Sequence, residues 1–229
     1  MTRRASTILV IAHRGASAYE QENSLAAFRT ALQMGADGIE LDIHATADGG
    51  IVVHHDPRLG DRPIAELTVA AVTRHRLPNG EPVPTLAEAL AAIGAGCRVF
   101  VEVKTLAPRH DAALLGELDR GPAAANYHVH GFDHRIVRRL VAQRRGLVGG
   151  VLSTSYPVKP WRQLADAGAR ELWQEASLID RALVEALQSR GCAVYAWTVD
   201  APARALELAA LGVAGICTNR PDVIREALA

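Results

Sequence analysis

A closed (β/α)8 barrel, eight parallel strands each followed by a helix, is the fold class this sequence predicts. Short apolar runs rich in β-formers alternate from end to end with longer Ala/Leu-rich segments of helical period, the mark of βα units on a parallel sheet. Eight such strands can be counted. Several end in titratable or charged residues, and the C-terminal ends of the strands are the reactive face of such a barrel. Periodicity alone also admits an open doubly wound sheet.

The predicted strands are Ile8–Ala12, Gly38–Ile43, Val99–Lys104, Tyr127–Gly131, Val148–Ser153, Glu171–Gln174, Ala193–Val199 and Ala214–Cys217. Helices are expected over Ser24–Met34, Leu86–Ile93, His110–Asp119, His134–Arg144, Pro160–Ala167, Asp180–Arg190, Ala201–Leu211 and Pro221–Leu228. Thr85-Leu-Ala-Glu88 reads as an N-cap with a capping-box Glu opening the second of these. The one irregular stretch follows the second strand. There Ala47-Asp-Gly-Gly makes a turn, Ile51–His55 forms a further short strand, and a Pro-rich run closes an insertion of about residues 47–84. No repeat, low-complexity tract or linker interrupts the 229 residues, so a single domain spanning 1–229 is expected.

The chain carries 25 Lys plus Arg against 25 Asp plus Glu. A net charge of zero excludes a general affinity for nucleic acid, which needs a cationic excess, so any anion site must be local. The Arg-rich run His134–Arg145 interleaves an apolar stripe of Ile136, Val137, Leu140 and Val141, which turns its arginines to the solvent side of an outer helix. Cys97, Cys192 and Cys217 are odd in number, widely spaced and set in apolar runs, as suits free buried thiols in a reducing compartment. The apolar run Ile8–Ala12 is far shorter than the about 18 residues of a membrane span. Although Arg3-Arg4 precedes it, the following His-Arg-Gly is no cleavage site, so it reads as a core strand. These features predict a cytoplasmic enzyme without an integral membrane segment, and leave its oligomeric state open.

The first strand stops at His13-Arg14-Gly15, which puts an imidazole, a guanidinium and a permissive backbone at its C-terminal end. In the second strand Glu40, Asp42 and His44 share one face and Ile39, Leu41 and Ile43 the other. Carboxylates at i and i+2 lie about 6.5–7 Å apart at Cα, close enough to share one ion. Leaving both ionised inside a barrel mouth is costly, so a cation or a strong basic partner is expected. The third strand adds Glu102, with Lys104 one step nearer the mouth as a point charge for an anionic substrate. Three carboxylates with no Cys nearby suit a hard divalent ion, Mg²⁺ or Ca²⁺, better than zinc. His55, at the end of the inserted strand, supplies a second imidazole. Two imidazoles beside a carboxylate-bound cation can divide the proton transfers of phosphodiester cleavage, one taking a proton from the attacking oxygen and the other giving one to the leaving alkoxide. The cation and Arg14 would neutralise charge on the phosphoryl oxygens.

His13-Arg14-Gly15, Glu22-Asn23-Ser24, Glu40-Leu41-Asp42, His55-Asp56 and Glu102-Val103-Lys104, in that order, resemble the glycerophosphodiester phosphodiesterases. Gly131-Phe132-Asp133, Trp197-Thr198-Val199-Asp200 and Thr218-Asn219-Arg220-Pro221-Asp222 extend the resemblance over most of the chain. The resemblance implies a βα barrel with a small insertion, and a divalent cation on Glu40, Asp42 and Glu102. It implies His13 and His55 as the acid/base pair, and Arg14 and Lys104 as phosphate contacts. The implied reaction is hydrolysis of a glycerophosphodiester to an alcohol and glycerol 3-phosphate, within glycerol and lipid metabolism.

Three departures bear on the substrate. The family's Pro-Glu-Asn-Thr is here Gln21-Glu22-Asn23-Ser24, a usual Ser is Gly131, and only 45 residues separate Asp56 from Glu102. The resemblance therefore leaves the alcohol open. Another diester, such as a lysophospholipid or a cyclic phosphate, and a non-catalytic anion-binding barrel remain as alternatives. Trp197 is expected to line the pocket beside the substrate, and Tyr156, Trp161 and Trp173 offer a more apolar wall.

Overall fold

The computed structural model describes residues 8–229; Arg3 and Arg4 lie outside the described residues. The strands are β1 (Leu9–His13), β2 (Gly38–Ala45), β3 (Ile51–Val53), the two-residue β4 (Arg58–Leu59) and β5 (Arg62–Pro63), β6 (Arg98–Thr105), β7 (Tyr127–Gly131), β8 (Val148–Ser153), β9 (Glu171–Glu175), β10 (Ala193–Trp197) and β11 (Gly215–Thr218). The α-helices are α1 (Leu25–Gln33), α2 (Val69–Thr73), α3 (Leu86–Ile93), α4 (Asp111–Arg120), α5 (His134–Gln143), α6 (Pro160–Ala167), α7 (Arg181–Gln188), α8 (Pro202–Leu211) and α9 (Pro221–Ala227).

Eight strands close in a ring. The parallel order runs β2, β6, β7, β8, β9, β10, β11 and β1, and β1 pairs in turn with β2, through Ile11 opposite Gly38 and His13 opposite Glu40. That last ladder excludes the open sheet. Each expected strand and barrel helix is present, with ends displaced by at most two residues. The largest consequence is at β2, which continues through His44 and Ala45.

Alternation along the strands builds two cores. Outward residues such as Ile39, Leu41, Ile43, Val99 and Val101 pack with Phe28, Ala31, Leu86 and Leu90 of the surrounding helices. Inward residues Ile11, Phe100, Leu152, Trp173, Tyr195 and Cys217 form a separate cluster that fills the barrel. Burying each large apolar side chain contributes about 1.5–3 kcal/mol, so a one-residue slip that exchanged the faces would be severely destabilising. Thr85 and Glu88 form the reciprocal capping box that the sequence predicts, and Ser24, expected as the first residue of its helix, instead caps it by accepting from the Ala27 N–H.

Between β2 and α3 the chain turns back. β3 runs antiparallel to β2, then β4 and β5 pair, and α2 follows; α2 was not anticipated from the sequence. The strand expected over Ile51–His55 stops at Val53. Side chains interrupt the ladder there: His54 Nδ1 meets the Asp56 carbonyl at 2.9 Å, and His44 Nε2 meets the His55 carbonyl at 3.1 Å. Among the described residues no helix is long and apolar enough to cross a membrane.

The Arg-rich helix is α5, with Ile136, Val137 and Leu140 buried. Its arginines are not all solvated as expected. Arg139 turns back to hold Asp111, itself buried, through two nitrogens.

Candidate active site

The site sits at the C-terminal ends of the barrel strands. β1 ends at His13, and Arg14 then adopts φ 56°, a left-handed conformation uncommon for a residue with a side chain. That turn aims the Arg14 backbone N–H at Glu40 Oε2, 3.1 Å away. Gly15 follows at φ 84°, where a Cβ would sit 2.7 Å from Ala27, so glycine is required. The Arg14 guanidinium lies 2.8 Å from Glu22 Oε2 and 3.0 Å from Asp42 Oδ2.

Glu40, Asp42 and Glu102 all point into the barrel and are buried, with Asp42 opposite Glu102 in the β2–β6 register. Asn23, at φ 57° just before α1, pins Asp42 from both sides. Its Nδ2 donates to Asp42 Oδ2 at 2.8 Å, and its Oδ1 accepts from the Asp42 N–H at 3.2 Å. Lys104 Nζ lies 3.1 Å from Asp42 Oδ1 and 2.8 Å from Glu102 Oε1. Asp42 Oδ1 and Glu102 Oε1 thus have only the Lys104 ammonium beside them, and Glu40 Oε1 is buried with no hydrogen bond among the described residues.

The electrostatics separate the three carboxyls. Burial opposes ionisation of Asp42, but Lys104 and then Arg14 overcome it and hold the group below the usual range. Glu40 is raised well above its ordinary value by burial and by Asp42 and Glu102. Burial, reinforced by Asp42, pushes Glu102 up to about 7. Two nearby bases do not satisfy three buried acids, and the surplus oxygens form a hard donor set that fits a divalent cation.

His13 is oriented by residues far away in sequence. Its Nδ1 lies 2.7 Å from Asn219 Oδ1, and Asn219 Nδ2 donates to Asp200 Oδ2 at 2.7 Å. Asp200 also accepts from the Asn219 N–H and the Thr218 hydroxyl. Because an amide oxygen only accepts, Nδ1 carries the ring proton and Nε2 the lone pair. Burial and then Arg14 lower the His13 pKa, which keeps the ring neutral near pH 7. His55 is set by the antiparallel return of β3, in which the His54 N–H donates to the Asp42 carbonyl at 3.0 Å. Its Nδ1 lies 2.8 Å from Asp56 Oδ1.

His13, Arg14, Glu40, Glu102, Lys104, His55 and Trp197 line one cavity of ≈ 210 Å³. Asp42 lies just beneath, with no exposed surface. All eight residues singled out from the sequence are therefore in or directly under the same cavity. Of the three aromatics offered as an apolar wall, only Trp173 reaches it. Trp161 is on α6, with the Arg190 guanidinium 4.1 Å from its ring centroid, and the Tyr156 hydroxyl donates to Asp180.

The sequence reading gave Asn219 and Asp200 no role beyond their place in the family-like blocks, and it missed His130. The first two carry no local signal of their partnership with His13. His130 did carry one: in Tyr127-His128-Val129-His130 the alternation that sends Val129 outward sends His130 inward, opposite Glu102. It is 1% exposed, and burial pushes it down to about 3.

The sequence profile of the glycerophosphoryl diester phosphodiesterase family matches residues 13–223. A glycerophosphodiester phosphodiesterase of Caldanaerobacter subterraneus subsp. tengcongensis is 31% identical over 94% of this chain and 96% of its own length. An Oleispira antarctica phosphodiesterase, solved in complex with the product sn-glycerol-3-phosphate, shares the fold with a TM-score of 0.89 at 24% identity, over 96% of both chains. A glycerophosphodiester phosphodiesterase from Parabacteroides distasonis superposes with a TM-score of 0.87 at 24% identity, over 98% of both.

Proposed function

The chain belongs to the glycerophosphoryl diester phosphodiesterase family, and from that premise we propose a division of labour for its hydrolysis of glycerophosphodiesters to an alcohol and glycerol 3-phosphate. The observation that carries the proposal is the convergence of two imidazoles, Arg14 and Lys104 on one cavity above three buried carboxyls.

His13 is the general base. With Nδ1–H committed to Asn219, its neutral Nε2 takes the proton of the attacking oxygen as the new P–O bond forms. His55 is the general acid. Asp56 holds Nδ1–H, so Nε2 is the exchangeable nitrogen that gives a proton to the leaving alkoxide as its P–O bond breaks. Arg14 and Lys104 bind the phosphoryl oxygens, and Trp197 packs against the substrate beside them. Glu40, Asp42 and Glu102 would hold a divalent cation, with Mg²⁺ or Ca²⁺ favoured by the oxygen donors. When bound, the ion neutralises charge gathering on the phosphoryl oxygens. Residues 8–229 act as one catalytic unit, and the three free cysteines support a reducing cytoplasm.

A diester with an apolar alcohol, such as a lysophospholipid, is a second reading. Phe132 stands 49% exposed at the cavity wall, edge-on to Trp197 at 5.8 Å, and offers that alcohol an aromatic surface.

The test is a substrate panel of glycerophosphocholine, glycerophosphoethanolamine, a lysophospholipid and a cyclic phosphate, followed by enzymatic detection of glycerol 3-phosphate. Release of glycerol 3-phosphate from the first two supports the assignment. Turnover of another diester alone overturns the glycerol part, and tight glycerol phosphate binding with no turnover of any diester overturns catalysis.

A further inference from the structure

The barrel wall beside the three carboxyls holds one more buried polar group for which the reaction just described has no use. His130 projects inward from β7, opposite Glu102 on β6 and Gly150 on β8. Its ring stacks on Trp173, with centroids 4.3 Å apart and planes at 21°, and Trp173 stacks in turn on Tyr195. Gly150 makes room for this. A Cβ there would lie 2.9 Å from both His130 Cβ and Trp173 Cδ1. The stack fixes the imidazole plane with its nitrogens left over. Nδ1 is buried without a hydrogen-bond partner among the described residues, and Nε2 faces Glu40 Oε1 at 3.8 Å.

One ligand atom each from Glu40, Glu102 and His130 lies within 4.8 Å of the others. Ligands bound at about 2.0–2.3 Å to a common ion are separated by less than about 4.5 Å, so modest side-chain adjustment brings all three onto one ion. Glu40 Oε1 is itself buried without a hydrogen-bond partner among the described residues, and Glu102 Oε1 has only the Lys104 ammonium beside it, at 2.8 Å. Burying an imidazole nitrogen and the Glu40 oxygen without partners is costly, and a cation shared with Glu102 satisfies them together. Asp42 contributes less freedom, because Oδ2 is already engaged by Asn23 and Arg14.

Resting on the reading that the carboxyls hold a divalent cation, we propose that His130 is a nitrogen ligand of that ion and tilts the site from Ca²⁺ toward first-row transition ions. An all-oxygen set suits Mg²⁺ and Ca²⁺, whereas imidazole favours the first-row divalent metals. The three carboxyls explain why a cation binds, and His130 decides which one.

Calorimetric titration of metal-stripped protein with Co²⁺ and with Ca²⁺ tests this, in the wild type, His130→Gln and Glu40→Gln. Expected is a fall of about tenfold or more in the Co²⁺-over-Ca²⁺ preference of His130→Gln, with Ca²⁺ affinity within about threefold of wild type. Retained Ca²⁺ binding also shows that the variant is folded. In the wild type loaded with Mn²⁺, pulsed EPR should show an imidazole nitrogen coupling that His130→Gln lacks. This measurement does not depend on the variant's stability. An unchanged preference, an equal loss of both ions, or no nitrogen coupling in the wild type overturns the proposal. If wild type binds the ions and Glu40→Gln loses both, the carboxylate reading stands whatever His130 does. If wild type binds neither, that reading fails and the role of His130 fails with it.

Discussion

Asn219 Oδ1 lies 2.7 Å from His13 Nδ1 across 206 positions of sequence, joining the end of the last barrel strand to the end of the first. The contact sets the imidazole tautomer, and Asp200 holds the amide in place from below. Replacing Asn219 by Ala leaves the ring but frees its orientation. Steady-state kinetics of Asn219→Ala should show kcat reduced about 10–100-fold with KM little changed, short of the loss from removing the imidazole. A wild-type kcat in this variant would show that the contact is not positioning.

Removal of either imidazole should be more damaging. His13→Ala and His55→Ala are each expected to lower kcat by about 10²–10⁴ if the ring transfers a proton in the transition state. His55 is half-exposed beside an exposed Asp56, so His55→Ala should keep the wild-type melting temperature. Wild-type turnover in both variants would remove the proposed acid and base together.

The raised carboxyls tie stability to pH in the absence of metal. Glu102, pushed up to about 7, and Glu40, raised well above its ordinary value, hold protons in the folded chain that they release on unfolding. Their contribution is full below the ordinary Glu value near 4.5 and is lost as pH rises through the folded value. The lowered values of His13 and His130 have the opposite sign, but only below about 6.5. Metal-stripped protein should therefore melt at progressively lower temperature between about pH 6.5 and 8, and Glu102→Gln should flatten that slope. A divalent cation added at the upper end should restore the melting temperature and release protons on binding, measurable by calorimetry in buffers of different ionisation enthalpy. A metal-free melting temperature that rises over this interval would contradict the assignment.

Gly150 links the core to the site. A methyl at this position meets His130 and Trp173 at once, so Gly150→Ala should cost about 1–3 kcal/mol by overpacking. Chemical denaturation measures the loss. An unchanged midpoint would show that the stack yields without strain.

Much of this was legible because side-chain alternation is a local property of a strand. Glu40 and Asp42 share a face two residues apart, and the same rule sends Phe100, Glu102 and Lys104 inward together. A strand's C-terminal end also follows from chain direction, so His13 and Lys104 fell at the mouth once a barrel was recognised. The same rule, had it been applied to β7, would have sent His130 inward, but nothing in its own strand showed that Glu40 and Glu102 would face it.

The sequence by itself determined the order of the barrel elements, the faces of the strands, and the acidic residues and two of the three imidazoles that the cavity collects. Only the tertiary structure decided that the sheet closes, that Asn219 and Asp200 reach His13, that Asn23 pins Asp42, and that Trp161 stays outside while Trp173 reaches the cavity. The physical reason is range. Periodicity reports which way a side chain points along its own element. Which two side chains meet depends on the ring closure of β1 onto both β2 and β11, and on the inter-strand register that brings distant segments to one depth of the barrel.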